Sequence, residues 1–423
     1  MNVVTRALRM NPTLPRVLAA HLHMESVETN DECIEVQWDD QTSCKFPHLF
    51  LRDNCQCPLC FHASSQQRLL DVVNTVDVDI RASDVRHNTV DDVVLIRWPD
   101  NHESMLEGDW LRDRLFPKSW REAKPYTLYG IEQKPWSSYT MKKNLPFVEW
   151  EDLMSSDEAL LTYLENLFVY GLSILRNAPR ESGVLNQLPQ RASLGYLKKT
   201  HYGEVFTVKS KPQPNNLAYT AEALPLHVDL PFLDYQPDFQ CLHCIEQSEG
   251  EGSGTSTLTD GFYAAEKLRH TDPLYFDTLT KVNFKFNDIG TDEFGEFDMQ
   301  CERPIIGLDS FGGLESISLN NHVRSSFINA PYEGIMDIYK AYYALTKHIN
   351  SEVMEYKMSP GDIVCFNNKR VMHGRRSFDA RTTTRWLEGM YMDADEVRSK
   401  YRTTRDNVLK NRAEGSNKML LEG

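Results

Sequence analysis

His227-Val228-Asp229, followed 146 residues later by His373, supplies two imidazoles and a carboxylate. Three such donors fit one face of a ferrous ion and leave the opposite face open for a co-substrate and O2. In an extended strand residues i and i+2 point to the same side, so His227 and Asp229 are expected to reach one ion while Val228 turns away. No cysteine accompanies them, which argues against structural zinc at this place. A histidine beside an acid is also a common hydrogen-bonded pair, so the spacing needs its context. Pro360-Gly361 signals a turn, Asp362-Ile363-Val364-Cys365-Phe366 reads as a buried strand, and His373 follows on the next turn and strand. Arg385, twelve residues on, offers a rigid fork of donors suited to the distal carboxylate of a dicarboxylic co-substrate. A surface salt bridge is the alternative reading of that arginine.

Cys55, Cys57, Cys60 and His102 form a second constellation, since three thiolates and one imidazole make a closed tetrahedral set of the kind that holds structural zinc. Three reduced cysteines in a turn are the alternative, and His62 competes for the fourth position. Cys241-Leu242-His243-Cys244 alternates along an expected strand from Phe239 to Glu246, so Cys244 lies on the other face from Cys241 and His243, and the group reads as core. Tyr202, Phe206 and Tyr219 precede His227, and Tyr391 follows Arg385. Several aromatic faces around one point attract a quaternary ammonium through the ring quadrupoles. The plainer reading is that these rings fill the mouth of a barrel.

The elements that must position these groups divide the chain into an N-terminal extension (1–29), a β-rich module (30–117), a linker (118–146), a larger domain (147–412) and a tail (413–423). Ile34–Trp38 and Val93–Trp98 read as strands of the small module. Ser155-Ser156-Asp157-Glu158 has capping-box spacing, and Leu160, Leu161, Leu164, Leu167 and Phe168 give the stripe of a helix ending near Gly171. A second helix is expected over 335–349, with Ile338, Tyr339, Tyr342 and Leu345 on one side, and a charged helix over 393–412 with Val397, Tyr401, Val408 and Leu409 as its apolar positions. The latter is compatible with a solvated terminal helix. Strand-rich segments between the helices fit a mainly β fold, a double-stranded β-helix or jelly roll. No internal repeat stands out.

The 423 residues carry 41% apolar and 10% aromatic side chains, enough for a sizeable core. A formal charge of −15 disfavours a nucleic-acid partner, and no apolar run approaches the roughly 18 residues of a membrane span. Nine cysteines, unevenly spread, point to a reducing compartment, taken as the cytoplasm. The first 24 residues hold Arg6, Arg9 and Arg16 and no acid, which suits a mitochondrial presequence, but Pro12 and Pro15 interrupt any amphipathic helix there.

From about Glu32 to Arg405 the chain resembles the γ-butyrobetaine and trimethyllysine dioxygenases among the Fe(II)/2-oxoglutarate oxygenases. The likeness rests on His-x-Asp, the distal histidine in a Pro-Gly-Asp setting, Arg385, and the strings Phe50–Cys57, Trp98-Pro99-Asp100, Leu242-His243-Cys244, Asp260-Gly261-Phe262 and His373–Ser377. It implies iron on His227, Asp229 and His373; zinc on Cys55, Cys57, Cys60 and His102; and 2-oxoglutarate held by Arg385 and Ser256. It also implies an aromatic cage of Tyr202, Phe206, Tyr219 and Tyr391 for a trimethylammonium group, with Asn216 and Asn320 at the substrate carboxylate. Phe206 departs from the family pattern, which has tryptophan, the stronger cation–π partner, at that place. Arg324 either reinforces the anionic end or caps a strand. The implied reaction is hydroxylation of γ-butyrobetaine to L-carnitine with release of succinate and CO2, ascorbate serving as reductant and the protein forming a homodimer. The carboxylate of Asp229 speaks against halogenation. Alternatives are trimethyllysine or another betaine as substrate, a histone-type demethylase, and a binding protein with a zinc module and an inactive oxygenase domain.

Overall fold

The computed structural model describes residues 22–117, 131–209, 220–292, 295–379 and 384–422. Asn216, Tyr219 and residues 1–21 therefore lie outside the described residues. The chain divides into two units, Met1–Lys124 and Pro125–Gly423.

Two antiparallel three-stranded sheets make the smaller unit: Met24–Thr29, Cys33–Trp38 and Ser43–Pro47, then Asp84–Asn88, Val93–Arg97 and Glu103–Glu107. Its first strand starts before the expected boundary at residue 30. Both sheets alternate apolar and polar residues, and Ile34, Val36, Trp38 and Phe46 of one share a core with Val94, Ile96, Trp98 and Leu106 of the other.

Contrary to the expectation of no repeat, the two sheets are copies 60 positions apart. Trp38 and Trp98, Asp40 and Asp100, and Leu51-Arg52-Asp53 and Leu111-Arg112-Asp113 correspond. Each tryptophan N–H donates across the hairpin loop, to the carbonyl of Thr42 at 2.9 Å and of His102 at 2.9 Å. Each loop turns through a left-handed residue, Gln41 (φ 67°) or Asn101 (φ 61°). The arginines cross over, Arg52 donating to Asp100 at 3.2 Å and Arg112 to Asp40 at 2.6 Å.

The larger unit is built around two principal β-sheets flanked by helices. Its six-stranded sheet runs, in spatial order, Val205–Val208, Trp386–Met392, Phe239–Glu246, Ile363–Asn367, Leu172–Arg176 and Phe147–Glu149, with only the last pair parallel among the described residues. A four-stranded sheet follows the order Leu224–His227, Val371–Arg375, Ser256–Asp260 and Met354–Tyr356. Cys244, Val364 and Phe366 from the first sheet share one core with Leu258, Met354 and Val371 from the second. Cys241, His243 and Cys244 are all fully buried, as a central strand covered on both faces requires.

The helix Asp157–Val169 is capped by Ser156, whose hydroxyl accepts from the Ala159 N–H at 3.4 Å, one residue later than the capping-box spacing suggested. Ser155 instead ends the helix Trp150–Ser155. The helix Tyr332–Ser351 buries Ile338, Ala341, Leu345 and Ile349, while Tyr339 faces outward. Within the segment expected to be a linker, Trp136 is buried in the core and Ser138–Lys143 is a helix. The terminal helix extends over Ala394–Glu422, past the expected end at 412, and Val397, Tyr401 and Val408 pack into the chain's own core beside Leu160 and Leu164.

Candidate active site

The strand Leu224–His227 pairs antiparallel with Val371–Arg375, and the register sets His227 directly opposite His373, with ring centroids 4.2 Å apart. Antiparallel pairing thus delivers two histidines to one point although 146 residues separate them. Asp229 is not on the strand, as its spacing had suggested, but in the bend after it. Val228 is fully buried and donates its N–H to Leu319 O at 3.0 Å, and Leu230 turns through φ 58°. A tether from another part of the chain therefore replaces strand geometry. The Asn368 amide accepts from Asp229 N–H at 2.7 Å and donates to Asp229 O at 2.9 Å, and Gln236 Nε2 donates to the same carbonyl at 2.8 Å.

The carboxylate itself is split by function. Tyr391 Oη donates to Oδ2 at 2.7 Å and Gln240 Nε2 to the same oxygen at 2.8 Å, and these two residues are cross-strand partners. Oδ1 faces the histidines, 3.1 Å from His227 Nε2 and 3.8 Å from His373 Nε2. Two ligand bonds of about 2.1 Å at a right angle have ends about 3.0 Å apart, so the first spacing fits adjacent octahedral positions and the second is somewhat wider. His227 Nδ1 lies 2.8 Å from Pro225 O, which can only accept, so Nδ1 carries a proton and Nε2 is the ring nitrogen turned toward Asp229. Burial, reinforced by His227, pushes His373 down to about 3, so that imidazole is neutral. Burial opposes ionisation of Asp229, but His373, His227 and Tyr391 together outweigh it and hold its carboxyl below the usual range. A neutral His373 and an anionic Asp229 are protonation states that suit a divalent metal.

Arg385 is buried, and its Nε has no hydrogen-bond partner among the described residues. Burial, with Arg375 adding repulsion, lowers its pKa to about 9, which leaves it a cation at neutral pH. It lies against Gly254, whose left-handed φ of 60° and missing side chain admit the guanidinium stem; a Cβ there would sit 3.0 Å from Arg385 Cδ. Ser256, two residues on, is buried opposite Arg375. Arg375 shares a strand face with His373 and donates to the carbonyls of Thr220 and Glu222 at 2.8 and 2.7 Å. Sequence reasoning overlooked this second guanidinium, which the alternation His373-x-Arg375 could have flagged.

The aromatic residues form a row. Tyr391 stacks on Phe206 with centroids 5.2 Å apart, and Phe206 is 6.1 Å from Tyr202. Phe206 pairs opposite Gly389 and lies across it, since a Cβ at Gly389 would come within 2.3 Å of the ring. Asn320 Nδ2 donates to Val228 O at 2.9 Å and its Oδ1 accepts from His322 N–H at 3.0 Å, so this amide also helps fix the ligand-bearing segment. Arg324 donates to Asn321 Oδ1 and lies over the Tyr342 ring.

In the small unit, Cys55, Cys57 and Cys60 place their sulfurs 3.3, 3.5 and 3.5 Å from His102 Nε2. A tetrahedral zinc with Zn–S near 2.3 Å and Zn–N near 2.05 Å requires edges of about 3.5 Å, so the donor set fits that ion. His102 occupies the place of Thr42 in the first copy of the repeat, and the cysteines follow that copy's helix. Arg52 donates to Cys60 Sγ at 3.4 Å, a cation positioned to favour thiolate. His62 is exposed, 2.6 Å from Ser65 Oγ, and takes no part in the cluster.

Residues 139–391 match the family described as taurine catabolism dioxygenase TauD, TfdA, and residues 26–112 match the N-terminal domain described as γ-butyrobetaine hydroxylase-like. γ-Butyrobetaine dioxygenase of Homo sapiens is 35% identical over 89% of this chain and 95% of its own length. The enzyme of that name from Pseudomonas sp. (strain AK-1) is 31% identical over 87% and 92%. Human mitochondrial trimethyllysine dioxygenase is 29% identical over 90% and 89%. With the two-histidine, one-carboxylate face in place and both units matched, the chain belongs to the γ-butyrobetaine dioxygenase family of iron- and 2-oxoglutarate-dependent oxygenases.

Proposed function

We propose that the protein hydroxylates γ-butyrobetaine to L-carnitine, with 2-oxoglutarate going to succinate and CO2. Tyr391 carries this reading: its hydroxyl holds the metal-facing carboxylate of Asp229 while its ring begins the row that continues through Phe206 to Tyr202. The wall that orients the metal ligand is thereby also the wall against which a trimethylammonium group would rest. His227, Asp229 and His373 are the residues that would hold iron, which supplies the oxidising chemistry when bound. Arg385 and Ser256 would hold the far carboxylate of 2-oxoglutarate. Tyr202, Phe206, Tyr219 and Tyr391 would surround the ammonium, and Asn216 with the second N–H of Asn320 Nδ2 would meet the substrate carboxylate. Burial of His227, His373, Arg385, Phe206 and Tyr391 would exclude water from the reacting carbon, so the protein contributes position and dryness.

We read the two sheets of the larger unit as a double-stranded β-helix, the Cys55, Cys57, Cys60 and His102 cluster as structural zinc, ascorbate as reductant and the assembly as a homodimer. Phe206 in place of tryptophan keeps a second reading in play, with trimethyllysine or another betaine as substrate. Succinate release with γ-butyrobetaine and with trimethyllysine, compared at equal concentration, tests the choice. A larger kcat/KM for trimethyllysine would overturn the primary reading.

Replacing the planar fork with a point charge should weaken 2-oxoglutarate more than the betaine. Arg385→Lys is expected to raise the KM for 2-oxoglutarate by about tenfold or more. Steady-state kinetics with each substrate varied in turn checks this, and equal effects on both would contradict the assignment. For the zinc cluster, burial, with Cys57 and Cys60 adding repulsion, pushes Cys55 up to about 12 in the metal-free protein, so binding must release thiol protons. Zinc content after dialysis against a chelator should therefore fall as pH is lowered, and Cys57→Ser should lose the metal at neutral pH; both are read by elemental analysis.

A further inference from the structure

The hairpin formed by Asn283–Asp292 and Gly295–Pro304 alternates as a half-buried ribbon should, except at one place. Phe284 and Phe286 point into the core and are 2% and 0% exposed, so the next inward position is 288. That position holds an acid, Asp288, while its neighbour Ile289 points outward and is 64% exposed. The polarity of this pair is inverted, and the carboxylate is drawn toward the core with only 23% of its side chain exposed. No lysine or arginine pairs with it among the described residues; its neighbours are Tyr202 Oη and His201 Nε2, each 3.5 Å away. His201 in turn packs against the rings of Tyr202, Phe232 and Phe297. Phe297 shares the inward face of the hairpin with Asp288, lying over Gly290, where a Cβ would come within 2.8 Å of the ring.

The row that starts at Asp229 therefore runs Tyr391, Phe206, Tyr202 and ends on a second carboxylate. A partly buried acid whose neighbours include no lysine or arginine gains when a permanent cation arrives with the ligand. A quaternary ammonium donates no hydrogen bond, so rings and net charge are what can hold it, and phenylalanine at 206 gives a weaker quadrupole than tryptophan. We infer that Asp288 is the counter-charge at the cationic end of the substrate pocket, a specificity-determining residue that selects a permanently charged head group over an uncharged one of the same shape. The inference rests on the reading of this site as one for a trimethylammonium zwitterion.

The test uses the full-length enzyme with iron and 2-oxoglutarate, comparing γ-butyrobetaine with 5,5-dimethylhexanoate, in which a tert-butyl group replaces the trimethylammonium without change of shape. Asp288→Asn is expected to lower kcat/KM for the betaine about tenfold and to leave the isostere within about twofold, so the wild-type preference collapses. Asp288→Glu, which keeps the charge, should retain most of it. A carboxylate that only ties the hairpin to Tyr202 would affect both substrates equally, and that outcome overturns the inference with the function intact. Should the asparagine variant fail to fold, wild-type preference measured at rising ionic strength decides: it narrows if charge carries it and stays constant if charge does not. Wild-type enzyme that turns over neither trimethylammonium zwitterion would defeat the functional reading itself, and the role of Asp288 with it.

Discussion

Asp229→Ala is expected to lower turnover at least about 1,000-fold while leaving the fold in place. Loss of function follows because Oδ1 is the sole anionic donor beside the two imidazoles among the described residues, and without it two neutral ligands must hold a dication. Retention of the fold follows because Asn368 and Gln236 grip the main chain of Asp229 rather than its side chain. The truncation leaves Tyr391 Oη and Gln240 Nε2 facing a small vacancy that water can enter. Iron content after desalting should fall well below one per chain, with the melting temperature of the metal-free protein changed by a few degrees at most. Tyr391→Phe and Gln240→Leu, which remove one support each, should weaken iron binding by about 10- to 100-fold. An Asp229→Ala protein that keeps iron and turns over normally would contradict the ligand assignment.

Arg370→Ala should cost stability rather than chemistry. Arg370 and Asp260 are both fully buried, and the guanidinium donates from Nε and Nη2 to the two carboxylate oxygens at 3.1 and 2.8 Å. Its remaining donors reach Val169 O at 2.9 Å and Lys134 O at 2.8 Å, while Asp260 also accepts from Trp136 N–H and Phe262 N–H. Removing one partner of such a pair leaves an uncompensated charge, at about 3–5 kcal/mol. In a unit of this size that corresponds to a melting temperature lower by roughly 10 °C. Replacing both partners with apolar residues is often harmless elsewhere. Here it would orphan two carbonyls and two N–H groups, so the double replacement should remain destabilised. Differential scanning calorimetry on both variants checks this, and a melting point unchanged in Arg370→Ala would refute it.

The gathering of donors was legible, because few residue types suit a metal: His227, Asp229 and His373 come together in space, as do Cys55, Cys57, Cys60 and His102. The supports were not legible. Asn368, Gln236 and Gln240 are ordinary amides whose role exists only once distant segments meet, and Tyr391 reads as one more aromatic until its hydroxyl is seen on Asp229. Asp229 looked like a strand residue because a two-residue spacing is shared by strands and by bends tethered from elsewhere. The duplication in the small unit escaped notice because few residues are retained, Trp at a strand end, Asp in the loop and Leu-Arg-Asp at the helix, whereas the strands otherwise keep little but their alternation. Ser155 and Ser156 are equivalent as caps by propensity, and the preceding helix decided between them.

The most direct measurement is mass spectrometry of the products formed from γ-butyrobetaine and 2-oxoglutarate under 18O2. The account predicts one labelled oxygen on the betaine, as a hydroxyl, for each succinate released, and neither product from Asp229→Ala. Succinate formed at full rate with the betaine unchanged, or label in trimethyllysine but not in γ-butyrobetaine, would contradict it.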